Sequence, residues 1–191
     1  MAACKKNSAR LGAHLIFVDE SGFLLTPSVR KTWAPVGQTP LIHHRFRNDR
    51  ISVIAGITVS PVRRRLNLLW ALSFENIRQP DVCEFLHQVL LHFRGHVIAL
   101  LDNSLTHRGN LIKDLQYRFR RLHLEYFPAY APELNPQEGV WGRVKRQLAN
   151  GRPDDIYELE QDLRKKFSRV ARSREILRGC IHESDLPFIL S

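Results

Sequence analysis

Three carboxylates in this chain stand where chemistry could be done. Asp19 ends the apolar run His14-Leu15-Ile16-Phe17-Val18, Asp102 ends Val97-Ile98-Ala99-Leu100-Leu101, and Glu138 follows the proline-rich stretch from Phe127 to Pro136. Two aspartates at the ends of neighbouring buried strands would repel each other, raising a pKa, unless something positive lay between them. A divalent cation resolves that conflict, because Mg²⁺ takes a few carboxylates, keeps waters and completes its shell with phosphate oxygens. Two such ions about 4 Å apart can activate a water on one side of a phosphodiester and steady the leaving oxygen on the other. Glu138 is placed to give the second ion a ligand from outside the strands. Each acid also has a plainer reading: Asp19 as a turn residue beside Gly22, Asp102 as an Asx-turn or helix cap, Glu138 as half of the capping box Asn135-x-x-Glu138.

The elements that must position these acids are legible in the pattern. His14 to Asp19 reads as a strand whose consecutive apolar residues suit the middle of a sheet covered on both faces. Glu20-Ser21-Gly22 then looks like a turn, with Phe23-Leu24-Leu25 returning as a hairpin. Arg50 to Val59 is rich in β-branched residues and predicts a third strand, and residues 66 to 74 are a fourth candidate. Asp81-x-x-Glu84 predicts a helix cap, followed by an apolar face through Val82, Phe85, Leu86, Val89, Leu90 and Phe93 and a stop at Gly95. After the strand ending at Asp102 come a helix to about Phe119 and a strand from Leu122 to Phe127. Asn135 is the expected cap of a helix from Pro136 to Leu148. Gly151-Arg152-Pro153 ends that helix, Asp155-x-x-Glu158 caps a long amphipathic one to about Arg172, and a last helix begins near Ser173. Open α/β sheets bind ligands at the carboxyl ends of their strands. Asp19 and Asp102 therefore share one edge if their strands are parallel neighbours.

The totals narrow the class of partner. The 191 residues read as a single domain, 1–191, with 1–13 a flexible polar lead-in, and a formal net charge of +10 points to a polyanion, either nucleic acid or an acidic membrane surface. The basic residues cluster at Arg45, Arg47 and Arg50; Arg63 to Arg65; Arg118, Arg120 and Arg121; and Arg164 to Lys166. One such cluster is an ordinary solvated face; several together point to DNA or RNA. No apolar run is long enough to cross a bilayer and no signal core opens the chain, so a cytoplasmic location and no membrane partner are expected. Cys4, Cys83 and Cys180 fit neither a disulfide framework nor a zinc module and read as reduced and structural. His92 and His96 have metal-ligand spacing but lack an acidic third ligand nearby.

Four stretches carry a family resemblance: Val18-Asp19-Glu20-Ser21-Gly22; Thr32-Trp33-Ala34-Pro35-Val36-Gly37-Gln38-Thr39-Pro40; Leu101-Asp102-Asn103-Ser104-Leu105-Thr106-His107; and Tyr130-Ala131-Pro132-Glu133-Leu134-Asn135-Pro136-Gln137-Glu138, running on to Trp141 and Lys145. With thirty-five residues between Asp102 and Glu138, the chain resembles the DDE transposases of the mariner-like superfamily, especially the bacterial insertion-sequence branch. The resemblance implies an α/β, ribonuclease H-like fold: a central mixed β-sheet flanked by helices on both faces. It also implies a site in which Asp19, Asp102 and Glu138 hold two Mg²⁺ or Mn²⁺ ions and act on transposon ends and target DNA. Strand cleavage would expose a 3′-hydroxyl that then attacks the target. Asn103 and His107 match motif positions near the second aspartate, where support of the site or DNA contact is expected, with His107 orienting rather than ligating. Trp33, Arg143 and Lys145 are further candidates for support or DNA contact. Relatives work as dimers, so a homodimer is expected. No N-terminal helix-turn-helix precedes the first strand, so end recognition is expected from a separate polypeptide. A bacterial cytoplasmic, nucleoid-associated location follows by the same resemblance.

Two other readings compete. A host nuclease of the same fold keeps the acids and basic clusters but leaves the proline-rich signature and the Thr32 to Pro40 stretch unexplained. A truncated or domesticated copy that only binds DNA would keep the charge and lose the chemistry. An RNA-binding module is disfavoured by the lack of a glycine-aromatic strand motif or a Gly-x-x-Gly clamp.

Overall fold

A computed structural model describes residues 10–26, 31, 33–38, 49–61, 65–151 and 153–186. Five strands form one sheet: β1 (His14–Leu24), β2 (Arg50–Val59), β3 (Leu66–Ser73), β4 (Val97–Leu101) and β5 (Leu122–Tyr126). Their order is β3-β2-β1-β4-β5. β2 pairs antiparallel with β1 and β3, while β4 runs parallel to both β1 and β5. The helices are α1 (Gln79–His92), α2 (Asn110–Arg118), α3 (Gln137–Leu148), α4 (Ile156–Arg172) and α5 (Arg174–Glu183), with 3-10 turns at Leu105–His107 and Pro132–Leu134.

The period-2 alternation of the strands builds a core on each face. Leu15, Phe17, Phe23, Ile98 and Leu100 join Val140, Trp141, Val144, Leu163, Phe167 and Leu177 of α3, α4 and α5. Ile16, Val18, Val97, Ala99 and Leu101 join Val82, Leu86 and Val89 of α1 and Ile112 of α2 on the other face. This is the mixed sheet between two helical layers that the consecutive apolar runs implied. Gly56 on β2 is needed for that packing, since a Cβ there would lie 2.5 Å from Ile16 Cδ1.

Several expectations need correction. No hairpin follows Asp19: β1 continues through Glu20, Ser21 and Gly22, paired with β2 residue by residue from Leu15↔Val59 to Leu24↔Arg50. Glu20, Ser21 and Gly22 are strand residues, and the Glu20 side chain is used at the site described below. Asp81 is not the cap of α1; that position belongs to Arg78, and Asp81 reaches back from the third helical position to accept the Arg78 N–H at 2.7 Å. α1 ends at His92, before Gly95, and Arg121 donates to the carbonyls of Leu90 in its last turn and of Phe93 and Gly95 beyond it. That takes Arg121 out of the basic cluster and makes it a structural clamp. Leu11 packs on the core and Ala13 is buried, so the body begins inside the expected lead-in; residues 1–9, with Cys4, lie outside the described residues. So do Arg45, Arg47, Arg63, Arg64 and parts of the Thr32–Pro40 stretch. Cys180 is buried and Cys83 partly so, both as free thiols.

Candidate active site

The register of the parallel pair sets the two aspartates side by side. Phe17 stands opposite Leu100, so Asp19, two residues further along β1, comes alongside Asp102, the first residue past the end of β4. β4 stops at Leu101 while β1 continues. Asp102 is thus in the loop beyond a strand end, and Asp19 is within a strand, level with it.

The loop that brings the third acid is pinned at several points. Phe127 N–H donates to Leu101 O at 2.9 Å, and Asn103 Nδ2 donates to Phe127 O at 3.0 Å. Tyr130 turns the chain with φ 58°, in the left-handed region an aromatic residue rarely adopts. Pro132–Leu134 forms the 3-10 turn, and Asn135 Oδ1 accepts the Gln137 N–H at 3.1 Å. The helix nevertheless begins one residue later than expected, at Gln137, with Pro136 and not Asn135 in the cap position. The reciprocal half of a capping box is not made, because the Asn135 N–H that Glu138 would need is donated to Pro132 O at 2.9 Å. Glu138 instead lines a cavity of about 450 Å³ together with Asp19 and Asp102, walled by Asn103, Ser104 and the Phe127–Pro132 loop.

The two aspartates are held by different partners. Trp141 Nε1–H, on the inward face of α3, donates to Asp19 Oδ2 at 2.9 Å. Burial pushes the Asp19 carboxyl up to about 6; the Trp141 bond opposes this, and the charges of Glu20 and Glu138 add to it. Asp102 Oδ1 accepts the Ser104 N–H at 2.9 Å and lies in charged contact with His107 Nδ1 at 2.6 Å, while the hydrogen bond of Nδ1 goes to the Asp102 backbone carbonyl at 3.3 Å. His107 is fully buried, and its Nε2 meets Glu20 Oε1 at 2.9 Å. Burial disfavours its charge, but the Glu20 hydrogen bond and charge, followed by those of Asp102, outweigh that and raise it to about 9. His107 is accordingly an imidazolium that donates from Nε2 to the Glu20 carboxylate and from Nδ1 to the Asp102 backbone carbonyl, with the Asp102 carboxylate paired against its charge. Tyr126 OH fixes the backbone behind it, donating to His107 O at 2.9 Å.

The remaining sequence candidates fall elsewhere or do other work. Asn103 holds the loop, and Arg108 donates to its side-chain oxygen. Trp33 is fully exposed on the connection between β1 and β2 and does not line the acidic cavity. Arg143 makes a two-point pair with Glu183, at 2.8 and 2.7 Å, tying α3 to α5. Lys145 lies 5.8 Å from the Phe23 ring and borders a separate cavity with Lys166. His96 Nδ1 meets His123 Nε2 at 3.1 Å and His92 packs edge-on to Phe93, so the zinc spacing is not realised. Trp141 and Glu20 are the site residues that sequence reasoning passed over. Both sit inside the quoted motifs, and their partners are distant in the chain.

As a donor set the three acids are all-oxygen and hard, which suits Mg²⁺ or Mn²⁺ and not a soft metal. Among the described residues no three His, Cys, Asp or Glu side chains are gathered tightly enough to form a metal cage. The acids line a shared cavity, and a cation there would complete its shell from waters or substrate oxygens.

Over 143 residues the chain is 28% identical to the Tc1 transposase of Caenorhabditis elegans, covering 70% of this chain and 51% of that protein. It is 24% identical over 153 residues to the Tc3 transposase of the same organism, covering 74% and 44%. The chain thus spans about half the length of these relatives. Its fold matches the Mos1 transposase in a paired-end complex with the left transposon end, with a TM-score of 0.65 at 18% identity over 95% of this chain and 55% of that one. The Mos1 mariner catalytic domain gives 0.61 at 16% identity, over 95% and 81%. Residues 14–160, a span that holds all three acids, match the DDE superfamily endonuclease family, and the chain belongs to that family.

Proposed function

We propose that the cavity is the catalytic centre of a transposase domain that cuts DNA at element ends and joins the freed 3′ end to a target. Asp19, Asp102 and Glu138 are its metal ligands. The observation that carries this reading is that an aspartate within β1, an aspartate just past the end of the adjacent parallel strand β4 and a glutamate from the first turn of α3 line a single cavity. A divalent cation, Mg²⁺ or Mn²⁺ and two ions in the full site, would supply an activated attacking oxygen and charge neutralisation at the leaving oxygen. Mos1 paired-end complexes with Mn and with Mg support that choice of ion.

The chain's own residues do the positioning. Asp19, buried beside Glu138, gains most from a cation because its charge is otherwise opposed by burial. Asp102 is held by Ser104 and His107, and Glu138 is carried in the first turn of α3, behind a loop stiffened by Pro128, Pro132 and Pro136. The formal charge of +10 supplies the long-range attraction for a DNA backbone.

The motif resemblance favours the bacterial insertion-sequence branch, with action as a homodimer in the nucleoid-bearing cytoplasm. No helix among the described residues is long and apolar enough to cross a membrane. Nicking of supercoiled plasmid DNA tests the reading. The wild type should convert it to the open circle only with Mg²⁺ or Mn²⁺, and Asp102→Asn should not. Cation-independent DNA binding without nicking would make the non-catalytic copy the better account.

A further inference from the structure

We infer that Glu20 is a positioning residue for Asp102: acting through the buried His107, it fixes the Asp102 carboxylate with Oδ1 turned inward and the other oxygen turned toward the cavity. The inference rests on the reading of Asp102 as a metal ligand, but the geometry that carries it is independent of any ion. Adjacent residues on a strand point to opposite faces, so Asp19 and Glu20 leave the same stretch of β1 in opposite directions. Asp19 meets Trp141 of α3. Glu20 meets His107, in the 3-10 turn after β4, at 2.9 Å.

His107 has no freedom to turn. Its side chain is fully buried, with one ring nitrogen on Glu20 and the other 2.6 Å from Asp102 Oδ1. The Ser104 N–H lands on the same Asp102 oxygen. The Ser104 hydrogen bond and the His107 charge therefore fall on one oxygen of a carboxylate that is half exposed at the cavity wall, and Nδ1 is held in place by its bond to the Asp102 backbone carbonyl at 3.3 Å. Without Glu20, His107 Nε2 would be a buried donor lacking a partner, and the ring could flip or shift to satisfy it. The carboxylate–histidine–carboxylate line thus transmits the position of β1 to the loop after β4, and an outer partner of this kind typically changes metal affinity by about 10–100-fold when removed.

The test compares the wild type with Glu20→Ala and Glu20→Gln; the glutamine keeps a hydrogen-bond acceptor for the ring. In metal-free protein, ¹⁵N signals of the His107 ring and the ¹³C carboxylate signal of Asp102 should be single and sharp in the wild type. They should be shifted or broadened in Glu20→Ala and nearer the wild type in Glu20→Gln. Mn²⁺ affinity, read by calorimetric titration, should fall about tenfold in Glu20→Ala. A merely structural role would lower the melting temperature while leaving the Asp102 signal and Mn²⁺ affinity of the folded protein unchanged, and that result would overturn the inference. Failure of the wild type to take up Mn²⁺ would instead sink the metal reading. The ring and carboxylate signals of the metal-free protein would then still decide whether Glu20 positions Asp102.

Discussion

The wall around Asp19 and the wall around Asp102 meet in one cavity, yet they hold their carboxylates in opposite ways. Asp19 is largely enclosed, receives one neutral donor from Trp141, faces the charges of Glu20 and Glu138, and is pushed up to about 6. Asp102 is half exposed and shares a fully buried imidazolium with Glu20. One wall is short of positive charge and the other has it built in. The contrast assigns the two sides different tasks: the Asp19 side favours an incoming cation, and the Asp102 side sets the orientation of the ligand that meets it.

The strongest way to break this contrast is to neutralise each aspartate in turn. Asp19→Asn and Asp102→Asn should both reduce cation-dependent nicking to background while moving stability in opposite directions. With chelator at pH 8, Asp19→Asn should raise the thermal midpoint, because it removes a charge whose burial costs roughly 3 kcal/mol, for a shift from 3.8 to about 6. Asp102→Asn should lower the midpoint, because the His107 imidazolium loses a partner. Shifts of the same sign in calorimetry would erase the distinction between the two walls.

The pH dependence of the metal-free protein sharpens it further. The folded value of Asp19 lies above its unfolded 3.8, so the fold binds that proton more tightly and stability falls as pH rises from 3.8 to about 6. The folded value of His107, about 9, lies above 6.5, so its contribution is complete below 6.5 and is lost as pH rises to about 9. Urea titrations across this range should show two separate declines; Glu20→Ala should shrink the second most, and the first to a lesser degree because the Glu20 charge also raises Asp19. Smaller again is the effect of Trp141→Phe, which removes the hydrogen bond to Asp19 at a cost of roughly 2 kcal/mol and should move the Asp19 titration, followed by ¹³C, further upward. Gly139→Ala touches neither aspartate. A Cβ there would lie 3.0 Å from Cys180 Sγ and 3.2 Å from its Cα, so α5 must move, at roughly 1–3 kcal/mol. Midpoint loss with an unchanged Asp19 titration would mark this variant as the packing control.

The sheet and the three acids were legible because they rest on local signals. Two apolar runs each end in aspartate, and the proline signature sets Glu138 in the first turn of a helix. The bond from Trp141 to Asp19 and the bridge from Glu20 to His107 were not legible, since they join residues 122 and 87 positions apart. The hairpin expected after Asp19 fails for a related reason. A run of Asp, Glu, Ser and Gly has the composition of a turn, and only tertiary partners for its two acids make it a strand. Arg121 and Arg143 were counted with the surplus positive charge, yet they serve helix ends and a helix–helix pair. Composition cannot separate a structural arginine from one that awaits a phosphate.

Titration of the thermal midpoint with Mn²⁺ at pH 7.5 tests the central claim most directly, run on the wild type, Asp19→Asn, Asp102→Asn and Glu138→Gln. Three acids forming one cation site predict a rise in the wild type, about 2.7 kcal/mol of added stability at a hundred times the dissociation constant, and a flat response in all three variants. A rise that survives in every variant, or none in the wild type even with a DNA duplex present, would contradict it.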